Sequence, residues 1–227
     1  MLNIKYLYIK YIFFIFLFFS LGCGKKNNTK LAQNYYKLSI LELGDQPDAQ
    51  SFKKSLEFIE KAISQENRAE YLALKATLLF KLGNTQEGLE TFDLALALDP
   101  EAKIKTEILN NKACLLAQAG IKENNQKKLS QAFSLWQTLQ KNKDYLTPEV
   151  ALVNMGIICS EQQKFNDAKN YYIKAVNVAP GYLDAHYYLA LSAYELKDQN
   201  LARNEIDTVL FMERDHIGAK KLKSFLL

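Results

Sequence analysis

Two histidines, three cysteines, four prolines and nine glycines in 227 residues leave little material for several kinds of protein. His186 and His216 have no metal-spaced partner, and the chain contains no His-Glu-x-x-His, no glycine-rich phosphate loop and no nucleophile elbow. Acidic and basic residues scatter at helix-surface spacing and read as solvated faces. No catalytic residue, metal site, cofactor or small-molecule substrate is therefore expected. The net charge is only +4, and Lys5 and Lys10 supply two of those charges near the N-terminus. No basic block of the kind that grips nucleic acid remains. Few helix breakers, with abundant Ala, Leu, Lys, Gln and Asn, favour an all-helical body.

Long apolar runs are scarce as well. The longest, Tyr11 to Gly22, falls short of the ~20 residues needed to span a bilayer. Preceded by Lys5 and Lys10, it fits the ~7–15-residue apolar region of a secretory signal. Ser20-Leu21-Gly22-Cys23 resembles a bacterial lipobox, with Ser20 where that pattern usually has Leu. The resemblance implies cleavage before Cys23 and acylation of its thiol, and two or more acyl chains anchor a protein stably. It makes residues 1–22 a signal peptide and residues 23–30 a polar tether, leaving 31–227 as the folded domain. In lipoproteins of this class, Gly24 after the cysteine implies the outer membrane, facing the periplasm.

From Leu31 onward apolar residues recur every three or four positions, interrupted by short polar turns, which predicts amphipathic helices in hairpins. Leu152-x2-Met155-Gly156-x2-Cys159, Ala168-x3-Tyr172 and Pro180 form one repeat unit. His186-x2-Leu189-Ala190-x2-Ala193 and Ala202-x3-Ile206 repeat it 34 residues on. An earlier unit reads Leu72-x2-Lys75-Ala76-x2-Leu79, Gly83 at the turn, Gly88-x3-Phe92 and Asp99-Pro100. This resembles the tetratricopeptide repeat family. It implies an all-α superhelix of about five helical hairpins plus a C-terminal capping helix, the cap formed by the tail from Asp215. Small residues at 76, 113, 156 and 190 let paired helices approach. Phe92, Trp136, Tyr172 and Ile206 fill the remaining space, and Pro100 and Pro180 stop the second helices. His186 falls where the repeat has a bulky packing residue, so it reads as structural.

Two units are irregular. Leu31–Leu43 and Ser51–Gln65 form a degenerate first pair around the Gly44-Asp45-Gln46-Pro47 turn. In the third pair Ala132-x3-Trp136 arrives seven residues late, so residues Ile121 to Lys127 are expected to enlarge the turn after Gly120.

In tetratricopeptide domains the outward positions of the first helices line a peptide groove. Here they are Asn110 and Asn111, with Cys114 nearby, then Val150, Val153, Asn154 and Ile157, then Tyr187, Tyr188, Leu191 and Tyr194. Apolar and aromatic groups with amides between them suit a protein segment whose backbone the amides bond. Cys114 and Cys159 sit at nearly equivalent positions of consecutive first helices. They are either a disulfide or two inert thiols, and the alpha carbons must approach within ~7 Å for the former.

Leu109-Asn110-Asn111 and Tyr145-x2-Pro148-x2-Ala151-x2-Asn154-x-Gly156 resemble the type IV pilus biogenesis lipoproteins called PilF or PilW, the pilotins. That resemblance implies an outer-membrane lipoprotein adaptor that binds secretin subunits and supports their assembly. The alternative is a scaffold for outer-membrane protein insertion or for cell-wall enzymes. Some relatives carry a cysteine pair in these two helices, which favours a bridge between Cys114 and Cys159.

Overall fold

The computed structural model describes residues 26–226, and every regular element among them is helical. Eleven helices follow in order: α1 Lys26–Leu41, α2 Ala49–Gln65, α3 Ala69–Lys81, α4 Thr85–Ala97, α5 Ala102–Lys122, α6 Gln126–Leu139, α7 Pro148–Glu161, α8 Phe165–Val178, α9 Leu183–Glu195, α10 Gln199–Met212 and α11 Ile217–Leu226. They make the five hairpins and the capping helix that the repeat pattern predicts. Cys23, Gly24 and the apolar leader lie outside the described residues. One expectation shifts here: α1 begins at Lys26, so residues 26–30, assigned to a polar tether, are helical.

The turn inside each of the last four hairpins has one design. Its middle residue has a positive φ: 94° at Gly83, 51° at Asn124, 60° at Gln163 and 62° at Lys197. The next residue sends its backbone N–H to a carbonyl five residues back: Asn84 to Leu79, Asn125 to Gly120, Lys164 to Cys159 and Asp198 to Ala193, at 2.8–2.9 Å. This left-handed closure satisfies carbonyls that the helix end would otherwise orphan.

That common design corrects the reading of the third hairpin. The turn there stays three residues long, and Gly120 lies inside α5 instead of in the turn. Helix α7 ends five residues after its small residue Gly156, whereas α5 ends nine after Ala113. Helix α8 begins three residues before Ala168, whereas α6 begins six before Ala132. The late Ala132 thus reflects about one extra helical turn on each partner. Seven residues are close to two turns at 3.6 residues each, so both helices keep their buried faces in phase. Gly120 makes room for the added length, because a Cβ there would lie 2.7–2.9 Å from the Leu129 side chain.

The described residues divide into two compact units, 26–119 and 120–226. In the N-terminal unit one cluster joins Ala32, Ile59, Ala62, Tyr71, Leu74 and Leu78, and another joins Ala76, Phe92, Ala95, Ile108 and Leu115. The degenerate first hairpin puts serines at its crossing. Ser39 Oγ donates to the Ser55 carbonyl and Ser55 Oγ to the Ser39 carbonyl, each at 2.8 Å, so both buried hydroxyls are satisfied. Asp48 caps α2 by accepting the Ser51 N–H at 2.8 Å.

In the C-terminal unit α7 is the hub, with every residue from Val150 to Cys159 buried. Gly156 abuts the Tyr172 ring so closely that a Cβ would come within 2.4 Å of it. Small residues at the helix crossings and Phe92, Trp136, Tyr172 and Ile206 between them are all buried, as the repeat chemistry requires. Each such large side chain contributes roughly 1.5–3 kcal/mol on burial. Helix α11 places Ala219, Leu222 and Leu226 over Ala202, Ile206 and Val209. Arg203 donates to the Leu226 carbonyl and Lys223 pairs with Asp207 at 2.7 Å, which fastens the cap to α10. Repeat arrays need such an end.

Candidate protein-binding surface

The ten groove positions read from the sequence have different fates. Val150, Val153, Asn154 and Ile157 are all at most 3% exposed. Val153 and Ile157 belong to the core cluster that includes Tyr172 and Leu189. These four α7 residues therefore pack the C-terminal unit instead of lining an open surface. Their pattern looked like one apolar face, but α7 is apolar on every face because neighbours cover all of it. Asn110 and Asn111 on α5 are half-buried.

The α9 positions remain partly open. Tyr187, Tyr188, Leu191 and Tyr194 are half-buried, and residues at i, i+4 and i+7 share a helix face, so Tyr187, Leu191 and Tyr194 form one row. Tyr188 stacks on Tyr172 with ring centroids 5.7 Å apart, and Tyr187 lies 5.6 Å from Tyr188. The Tyr187 ring then meets His216 at 4.7 Å and its hydroxyl presses on Gly218 of the cap. These tyrosines are rigid, half-buried amphipathic side chains of the kind enriched where proteins meet. Desolvation raises the Tyr187 and Tyr188 phenols above their ordinary range, and Asp184 adds to the effect at Tyr188. Both stay neutral donors at physiological pH.

The sequence reading passed over Asp184 and Tyr182. Asp184 stands one turn before Tyr188 and is buried, and the Tyr182 hydroxyl donates to its Oδ2 at 3.3 Å. A carboxylate four residues before a groove tyrosine was the available signal. The Asp184 carboxylate holds the Tyr182 hydroxyl just before the start of the tyrosine row.

Cys114 and Cys159 are both buried thiols, so the bridge allowed by the sequence is not formed. Burial pushes the Cys114 thiol up to about 12 and also raises Cys159. Both behave as small apolar side chains. His186 is structural, as expected: one ring nitrogen faces Glu205 and the other the Pro180 carbonyl.

Comparison with known proteins agrees with this geometry. The tetratricopeptide repeat pattern matches residues 69–101 and 150–182. A TPR repeat-containing protein of Methanocaldococcus jannaschii is 37% identical over 67 residues, 30% of this chain, and the chain spans 11% of that protein's length. Among solved structures, pilF of Pseudomonas aeruginosa superposes with a TM-score of 0.65 at 16% identity, covering 88% of this chain and 91% of that one. PilW, described as a widely conserved type IV pilus biogenesis factor, gives 0.61 at 17% identity over 91% and 93%. MamA of Desulfovibrio magneticus RS-1 gives 0.61 at 18% identity over 86% and 99%. At these identities the likeness is one of fold. The chain carries tetratricopeptide repeats within a run of helical hairpins of the same kind.

Proposed function

We propose that this protein is an outer-membrane lipoprotein adaptor, anchored through Cys23, that binds a protein partner along its first helices and supports secretin assembly in type IV pilus biogenesis. The observation that carries the binding half is the α9 row of Tyr187, Leu191 and Tyr194, which stays half-buried where the matching α7 residues are fully enclosed. Tetratricopeptide hairpins serve typically as protein-interaction modules, and the fold likeness to PilW and pilF supports the pilus assignment. The lipobox-like Ser20-Leu21-Gly22-Cys23 supports the anchor. Confinement of adaptor and secretin to one membrane raises their effective concentration, so a modest contact area suffices. Replacing Cys23 with Ala tests the anchor. Incorporation of labelled palmitate should vanish and the protein should leave the membrane fraction, whereas persistent labelling rejects the assignment.

A further inference from the structure

The second helices of the C-terminal unit enclose a recess that the tyrosine row does not touch. It lies open between α6 and α8, over the C-terminal end of α7, with a volume of about 570 Å³. Leu129, Ile158 and Cys159 supply its apolar lining. Phe133 and Tyr171 touch edge to face in its wall, ring centroids 5.7 Å apart. Leu129, at its α6 end, is also the residue that Gly120 admits in the lengthened third hairpin. A hydrogen bond from Gln162 to Gln126 at 2.9 Å ties the added turn of α6 to the tip of α7.

The polar lining points to the chemistry of an occupant. Lys164 and Lys174 stand ten residues apart in and just before α8, a span of about 15 Å at 1.5 Å per residue. Neither makes an ion pair among the described residues, and the Lys174 ammonium sits 5.3 Å above the Tyr171 ring. Asp167 lies between the two lysines and repels negative charge at the centre. Gln162 and Asn170 can donate and accept, as can the hydroxyls of Ser130 and Ser134, and these groups suit main-chain amides.

We propose that this recess is a second docking site, which takes an extended segment of a protein partner with one apolar residue midway between flanking carboxylates. The apolar residue packs over the touching rings of Phe133 and Tyr171, and the carboxylates meet Lys164 and Lys174. In an extended chain residues i, i+2 and i+4 share one face and span about 13 Å at ~3.3 Å each, which sets the acidic groups four residues apart with the apolar residue midway. The site goes beyond the adaptor reading, because it uses second helices and requires neither the anchor nor the tyrosine row.

The probe is a fluorescein-labelled pentapeptide, Glu-Ser-Phe-Ser-Glu, titrated by anisotropy against the full chain held in mild detergent. Saturable binding that weakens with salt is expected. The same peptide with Lys in place of Glu should bind at least tenfold more weakly. The surface double variant Lys164→Gln, Lys174→Gln, with its helical circular dichroism unchanged, should lose about tenfold in affinity. Phe133→Ala should lose as much, while Tyr194→Ala should bind normally. Equal binding of the two peptides overturns the proposal, as does unchanged affinity in the lysine variant or no saturation at millimolar chain. A loss confined to Tyr194→Ala assigns the peptide to the α9 row and also overturns it.

Discussion

His186 Nδ1 lies 2.6 Å from Glu205 Oε2, joining α9 to α10 across 19 residues of sequence. The other ring nitrogen, Nε2, lies 2.9 Å from the Pro180 carbonyl oxygen. One ring thus holds the last hairpin together and also fixes the turn leading into it. Both side chains are largely buried, at 9% and 16% exposure. His186→Ala leaves a carboxylate and a carbonyl without their partner, a loss of ~2–4 kcal/mol. His186→Phe refills the space without restoring the bonds and should fall between. Urea unfolding at neutral pH measures both, and wild-type stability in the Ala variant would show that the pair contributes nothing.

Glycines at two helix crossings should differ in their tolerance of a methyl group. At Gly156 a Cβ would meet the Tyr172 ring, which is 1% exposed and cannot move aside. At Gly218 it would meet the hydroxyl tip of the half-buried Tyr187, the far end of a less enclosed side chain. Gly156→Ala should cost ~1–3 kcal/mol or more by overpacking, and Gly218→Ala distinctly less. Thermal unfolding of the two variants side by side gives the comparison.

The left-handed turn residues invite stabilisation. Gln163 and Lys197 occupy the conformation that Gly83 occupies in the second hairpin, at a steric cost of ~1–2 kcal/mol for a residue with a Cβ. Glycine removes that cost but adds backbone entropy to the unfolded chain. Lys197→Gly and Gln163→Gly should each gain up to ~1 kcal/mol, whereas Gly83→Ala should lose stability. A shift of the unfolding midpoint in the opposite direction would contradict the turn geometry.

Alkaline pH should unfold the protein early. Burial holds Tyr172, Tyr182 and Tyr188 well above the phenol reference of 10.0, Tyr36 at about 12, and the Cys114 thiol at about 12 against 9.0. Below about pH 8 each is essentially neutral in both states, so its stabilising share is intact there. As pH rises the unfolded chain releases these protons first, and stability falls from about pH 9 toward 12. Denaturant midpoints measured between pH 8 and 11 should decline steadily, with phenolate absorbance at high pH appearing together with loss of helix.

Much of this fold was legible in the residues. Gly156 with Tyr172, Ala202 with Ile206 and the prolines after α4 and α8 marked hairpins, because close helix crossings and helix stops have few chemical solutions. The late Ala132 was equally visible, but seven added residues fit either a longer loop or two longer helices. Only the pairing of Gly120 with Leu129 decides between them. The binding surface was less legible. The apolar residues of α7 and α9 look alike in sequence, yet α7 is enclosed on all sides while α9 keeps an open edge. Spacing within one helix says nothing about how many neighbours cover it. The His186–Glu205 contact was hidden for the same reason, since it joins two helices with no shared local pattern.

The adaptor account is tested most directly by the secretin itself. In cells that carry this protein, detergent-resistant secretin multimers can be compared on immunoblots after deletion of the chain, with wild-type and Tyr187→Ala, Tyr194→Ala copies returned. Multimers should collapse to monomers on deletion, recover fully with the wild-type copy and recover poorly with the variant at equal protein level. Multimers that persist undiminished without the chain would contradict the account.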